Sequence, residues 1–248
     1  MDFESLKSSA SNFDKITKAL EASSEKPESS GNSKNKYQDD RIWKPELDKT
    51  GNGYAVVRFL PASTGEEMPW QRVWSHAFQD KGGWYIENSL TTLNQKDPVS
   101  EENTRLWNTG VDSDKEIARK RKRKLSYYSN IFVVSDPKHP ENEGKVFIFK
   151  FGKKIFDKIT EAMQPAFDDE TPINPFDFWK GANFKLKIRK VDGYWNYDKS
   201  EFESVSQIKE SDEDIKSIWS KQYPLNPFVD PSNFKTYDEL KEKLNRVI

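Results

Sequence analysis

Arg119-Lys-Arg-Lys-Arg-Lys-Leu-Ser-Tyr-Tyr-Ser-Asn-Ile-Phe-Val-Val134 runs six cations straight into two adjacent tyrosines and an aromatic, β-branched strand. One continuous piece of backbone is expected to deliver both charge and flat ring surface. A polyanion neutralises such a block of like charge while its condensed counterions are released. Rings beside the block offer faces on which unpaired bases stack, each worth about 1–3 kcal/mol. A solvated basic loop or a localisation-type signal is the alternative that charge alone allows. The Tyr127-Tyr128 pair weighs against it. Strand side chains alternate faces, so one tyrosine is expected to meet bases and the other to support the sheet.

Strand signals recur on both sides of this stretch. Gly51-Asn52-Gly53 turns into a strand over Tyr54–Leu60 closed by Pro61, and Gln71–Phe78 pairs through Lys81-Gly82-Gly83 with Trp84–Glu87 as a hairpin. Lys145–Phe151 reads as a strand apolar on both faces. Asn183–Val191 alternates Phe184, Leu186 and Ile188 with Lys185, Lys187 and Arg189, a half-buried strand with one cationic face, and Gly193–Tyr197 extends it with Tyr194, Trp195 and Tyr197. Helical spacing marks Lys153–Met163 and Tyr237–Val247. Asn88–Asp114 shows no sustained period and is expected to be an irregular excursion, with Leu106-Trp107 its one strong apolar feature.

Phe3, Leu6, Phe13, Ile16 and Leu20 predict a short amphipathic helix from about Asn12 to Ala22, and Ser23–Asp40 contains no aliphatic residue. The expected organisation is an N-terminal arm over 1–22, a flexible linker over 23–41 and a core over 42–248 with 62–118 as a subdomain. Short strands with one interposed helix fit a mainly β fold with helices (α+β), an OB-fold-type partly open barrel with an inserted irregular subdomain and an N-terminal helical arm.

A formal net charge of -1 argues against a uniformly basic binder, yet the sum hides separated patches: cations at 119–124, acids at Glu201–Glu203 and Glu210–Asp214. Aromatic content of 13% exceeds the needs of a core this size, so some rings are expected at the surface. There is no cysteine, and no apolar run approaches the roughly 18 residues that span a bilayer, which predicts a soluble, intracellular protein with no membrane partner.

Seven blocks in order carry a family likeness: Gly51-Asn-Gly-Tyr-Ala-Val-Val-Arg-Phe-Leu-Pro61, Gly83-Trp-Tyr-Ile-Glu87, Lys122-Arg-Lys-Leu-Ser-Tyr-Tyr-Ser-Asn130, Pro140-Glu-Asn-Glu-Gly-Lys-Val-Phe147, Phe151-Gly-Lys-Lys-Ile155, Gly181-Ala-Asn-Phe184 and Asn196-Tyr-Asp198. Over residues 42 to 247 the chain resembles the single-stranded DNA-binding (helix-destabilising) proteins of T-even-type bacteriophages, the gene 32 protein family. The resemblance implies an OB-fold that covers single strands cooperatively, with little sequence preference, during phage replication, recombination and repair in the cytoplasm of the infected host. By motif position it implies Arg58, Arg123, Lys124, Tyr127, Tyr128, Phe149, Tyr194 and Tyr197 in the cleft, and Trp107 through Leu106-Trp-Asn-Thr109. Arg121, Lys122 and Trp195 join them from the basic run and the ring cluster.

Three departures follow. The family's zinc is held by one His and three Cys, whereas here His76 has Ser89 where the first thiolate would stand, so no metal or other cofactor is expected. Packing of Trp84, Leu90, Leu93 and Trp107 is expected to replace it. The family's arm contacts neighbouring copies, and Leu6-Lys7-Ser8-Ser9 is a thin version of its pattern, opposed by Asp2 and Glu4. The family also continues past the counterpart of Ile248 into an acidic tail that recruits polymerase, helicase loader and recombination mediator; a shortened chain and a tail-less member both remain open.

Enzymatic readings find little support. His76 and His139 lack a patterned nucleophile, and no phosphate-cradling Gly-rich loop is present. An OB-fold RNA-binding or protein-scaffolding module is the competing class.

Overall fold

A computed structural model describes residues 2–8, 11–21 and 39–248. In chain order these form α1 (Phe3–Ser8), α2 (Ser11–Glu21), β1 (Ile42–Trp43), β2 (Gly53–Phe59), β3 (Trp70–Asp80), β4 (Gly83–Asn88), α3 (Pro98–Asn108), α4 (Asp112–Lys120), β5 (Lys124–Ser135), β6 (Val146–Phe151), α5 (Lys153–Met163), β7 (Phe184–Val191), β8 (Tyr194–Asn196), β9 (Glu201–Phe202), α6 (Asp212–Ser220) and α7 (Tyr237–Val247). The described residues fall into two compact units, one of 2–21, 39–70 and 127–225, the other of 71–126 and 226–248.

The first unit is built on a mixed sheet in the order β1-β6-β5-β2-β7-β8, with β9 beside β7. β1 runs parallel to β6 and the other pairs of this path are antiparallel. The path has two ends and the sheet is not closed. β2 lies between β5 and β7, which explains its run of buried residues from Ala55 to Phe59. Its register shifts between Val56 and Val57, an irregularity that bends a strand and increases its twist. Inside, the Phe59 ring contacts Phe151, Phe176, Phe184 and Phe202. α5 lays Ile155, Phe156, Ile159 and Met163 onto this core at helical spacing.

The arm differs from the single helix expected from Asn12 to Ala22: it forms α1 as well as α2. Phe3 and Leu6 are buried in a cluster with Phe178, Ile215 and Ile218, flanked by Trp179 and Trp219, and Lys7 pairs with Asp212. The expected linker over 23–41 falls outside the described residues up to residue 38, as does Ser9. The acids of Glu210–Asp214 have a structural purpose. Ser211 caps α6 by accepting from the Asp214 N–H, and Asp212, Glu213 and Asp214 occupy the first turn, where the helix dipole favours negative charge.

The second unit overturns the expected irregular excursion. Within it, β3 and β4 form the hairpin read from the sequence, and α3 and α4 occupy most of the stretch taken as structureless. Asp97 caps α3 through the Val99 and Ser100 N–H groups, and Pro98 opens its first turn. Phe78, Tyr85, Leu90 and Val99 close a core with Leu240, Leu244 and Val247 of α7. The subdomain is therefore 71–126 joined by 226–248 rather than 62–118, because the apolar stripe of α7 finds its partners there. Gly82 makes this docking possible. Its N–H donates to the Val247 carbonyl, and a Cβ would lie 1.8 Å from the Arg246 oxygen. No described helix is long and apolar enough to cross a membrane.

Candidate nucleic-acid interface

In the first unit, β7 and β8 are joined by the two residues Asp192-Gly193, both at positive φ, the primed turn that matches strand twist. The resulting register sets Lys190 opposite Trp195 and Val191 opposite Tyr194. Lys190 Nζ lies 6.0 Å from the Trp195 ring centroid, and Tyr194 is 71% exposed. Gly51, held at φ 84, brings its backbone against the Lys190 stem and the Trp195 ring; a Cβ there would lie 3.2 and 3.3 Å from them. Tyr197 is half-buried, and burial raises its phenol above the ordinary range. Arg189 and Lys190 are exposed beside these rings. The cationic face earlier in β7 is neutralised instead, with Lys185 on Glu203 at 3.2 Å and Lys187 on Glu201 at 2.8 Å. The acids at Glu201–Glu203 are thus partners of β7.

In the second unit the basic run is not one continuous strand lead-in. Arg119 and Lys120 form the last turn of α4, where cations suit the helix dipole, and Arg121 is the C-cap. Arg119 sits 5.3 Å over the Trp107 ring, itself 48% exposed, and pairs with Glu116. Arg123 stacks 4.0 Å over Trp74, while Lys122 is exposed and Lys124 half-buried. Arg121 points inward, buried, paired with Asp80 and lying over Phe78. Its expected phosphate contact is corrected on that ground.

Four further expected residues are placed inside the first unit. Arg58 is fully buried; its guanidinium donates to the Asp177 carbonyl at 2.9 Å and the Ser206 carbonyl at 2.7 Å. Burial lowers its pKa to about 10. It is a cross-brace, not a phosphate ligand. Tyr127 stacks on Phe156 at 3.9 Å, and Phe149 packs edge-on against Trp43 at 5.3 Å. Tyr128, on the alternate face, is also buried, with Lys150 5.6 Å from its ring centroid. Neither tyrosine presents an open face to a base. The sequence reading did not single out Trp74, and it took Arg119 only as part of the basic run and Lys190 only as a neighbour of the rings. Asp192-Gly193 was a readable sign of the Lys190–Trp195 pairing, whereas the Arg119–Trp107 contact depends on α3 and α4, which left no periodic trace.

The sequence matches the family described as gp32 DNA binding protein like over residues 51–248. The chain belongs to this gp32-like DNA-binding family. It is 40% identical over 218 residues to the single-stranded DNA-binding protein of Enterobacteria phage T2, covering 85% of this chain and 71% of that one. It is also 40% identical over 225 residues to that of Enterobacteria phage T4, covering 88% and 73%. A third relative of the same name, from Enterobacteria phage RB70, matches at 40% over 95 residues, covering 37% of this chain and 78% of that one. The gp32-like family is one of binding proteins and not of enzymes.

The zinc implied by the resemblance does not fit this gp32-like chain. With no cysteine, the polar groups around His76 are Ser89 and Asp97, both buried. His76 Nδ1 donates to the Arg121 carbonyl at 2.9 Å, while Nε2 is buried without a hydrogen-bond partner, 3.2 Å from Asp97 Oδ1. Among the described residues no three His, Cys, Asp or Glu side chains converge to hold a metal. The apolar support also differs from expectation. Trp84 and Trp107 are about half exposed, and only Leu90 and Leu93 of the four expected residues join the core of this unit.

Proposed function

We propose that this protein binds single-stranded DNA with little sequence preference, stacking unpaired bases on Tyr194, Trp195 and Trp107 and holding phosphates with Lys190, Lys122, Arg123 and Lys124. The observation that carries this reading is the β7–β8 hairpin, which presents an exposed tyrosine on one face and a cation-backed tryptophan on the other, with no core for Tyr194 to fill. Every base has a π-face, so stacking of this kind tolerates any sequence. The names of the T2 and T4 relatives support the choice of single strands. The open sheet of the first unit is read as a partly open OB-type barrel, a reading supported by its antiparallel β5-β2-β7 centre and by α5 between β6 and β7.

Binding is cooperative in this proposal. The seat that holds Phe3 and Leu6 of α1 accepts the same segment of a neighbouring copy, with Leu6, Lys7, Ser8 and Ser9 as the exchanging contacts and Asp212 as partner to Lys7. The setting is phage DNA replication, recombination and repair in the infected bacterial cytoplasm. Polymerase, helicase loader and recombination mediator are partners through an acidic tail where the chain carries one.

Tryptophan fluorescence titrated with oligothymidine at two salt concentrations tests the reading. Quenching is expected, with log affinity falling against log salt at a slope near -3 if about four phosphates are held, at roughly 0.7 per phosphate. No quenching would mark a scaffold. Preference for an RNA homopolymer of equal length would mark a reader of the 2′-hydroxyl.

A further inference from the structure

We infer that a metal-free clasp made by Asp97 with His76 and Ser89 replaces the family's zinc as the centre of the second unit, and that His76 positions the backbone of the basic segment Arg121–Lys124.

Asp97 is the hub. Its Oδ1 accepts from the Val99 N–H at 3.1 Å and the Ser100 N–H at 3.0 Å, which fixes the start of α3. Its Oδ2 accepts from the Ser89 hydroxyl at 3.0 Å and the Leu90 N–H at 3.1 Å, which fixes the turn after β4. His76, on β3, adds the contact at 3.2 Å and carries the connection on to the Arg121 carbonyl at the end of α4. One carboxylate and one imidazole thus tie together β3, the end of β4, α3 and the C-cap of α4. A structural metal does the same work, drawing ligands from several segments to one point.

The geometry fits a carboxylate hub: Asp97 is buried, and its two oxygens accept from four donors, two on α3 and two at the turn after β4. A buried carboxylate satisfied by four hydrogen bonds needs no metal, and removing it would leave all four donors without their acceptor. Thiolates would have to reach the centre from positions now filled by Ser89 and its neighbours, and the chain has none.

The positioning role follows from which atom His76 holds. Nδ1 grips the main chain of Arg121, where α4 stops and the chain turns toward Lys122 and Arg123. The Arg121 side chain grips Asp80 in the same place, so this turn is fastened twice.

Three measurements on the full chain decide the matter. Metal analysis of protein from zinc-replete cells is expected to find less than about 0.1 zinc per chain, and a chelator should leave the Tm unchanged. Stoichiometric zinc, or a Tm that falls with chelator, overturns the clasp. Asp97→Ala should lower the Tm by roughly 10 °C; an unchanged Tm overturns it. If that variant does not fold, Ser89→Ala, which removes one of the four bonds, should lower the Tm by about 3 °C, and no change counts against the clasp equally. The third measurement rests on the DNA-binding reading, whereas the first two do not. His76→Asn keeps a donor where Nδ1 stood, and His76→Gln keeps one where Nε2 stood. Affinity for oligothymidine should stay within about twofold in the first and fall about fivefold in the second, a loss near ~1 kcal/mol relative to the unsubstituted protein. Equal losses in the two variants would show that His76 is structural only.

Discussion

Two regions of the first unit carry rings beside cations, and the fold treats them in opposite ways. At β5 and β6, Tyr127 and Phe149 are sealed in the core, with Tyr127 stacked on Phe156 of α5. At β7 and β8, Tyr194 stands in solvent and Trp195 is backed by Lys190. The difference lies in what covers each strand. At Tyr127, α5 covers one face of β5 through Phe156, and Tyr128 on the alternate face is buried as well. The end of β7 projects past its pairing with β2, which stops at Ile188, and its last residues pair only with β8. Alternation identifies which residues share a face, but only the surrounding layers decide whether that face is inside.

That contrast can be broken from either side. The largest effect is expected from Tyr127→Ala, which should destabilise the fold by about 3–5 kcal/mol in denaturant unfolding, as for other large aromatic truncations. Arg58→Leu should cost about 2–4 kcal/mol, because the Asp177 and Ser206 carbonyls lose their donors, with no change in the salt slope of DNA binding. A reduced slope would restore Arg58 as a phosphate ligand. Tyr194→Ala should leave stability within about 0.5 kcal/mol yet weaken oligothymidine binding by about 1–3 kcal/mol. Lys190→Ala should shift the salt slope by about 0.7, one phosphate's worth, in the same titration.

The smallest effect belongs to the exposed ion cluster of His139, Glu46 and Glu141. His139 holds its proton above the ordinary imidazole range because Glu141 and then Glu46 bond its two nitrogens, at 3.0 and 2.6 Å. A raised folded-state pKa contributes stability that is complete below about 6.5 and lost as pH rises through the folded value. His139→Ala should therefore lower the Tm slightly at pH 5.5 and leave it unchanged at pH 9. A loss that is larger at pH 9 would reverse the sign of this account.

Much of the scaffold was legible. Lys153–Met163 and Tyr237–Val247 are helices with the bounds that their apolar spacing marks, and the Gly82-Gly83 turn marked its hairpin. α3 and α4 were not legible because they bury so little: α3 hides Val99 and Leu106 among charged residues, and α4 hides Ala118 alone. Their signals were caps and end charges, with Asp97-Pro98 opening α3 and acids then bases along α4. The site was legible as residue types and only partly as positions. Arg58 reads as a solvated strand cation, and nothing local reveals the carbonyls of Asp177 and Ser206 that draw it inward.

Ultraviolet crosslinking of oligothymidine to the full chain, with the attached peptides mapped, tests most directly where DNA lies. The expected adducts fall on the peptide bearing Tyr194 and Trp195 and on that bearing Trp107, with none on Tyr127 or Phe149. Crosslinks confined to other peptides, with Tyr194 and Trp195 unmarked, would contradict the assignment of the β7–β8 hairpin as the stacking surface.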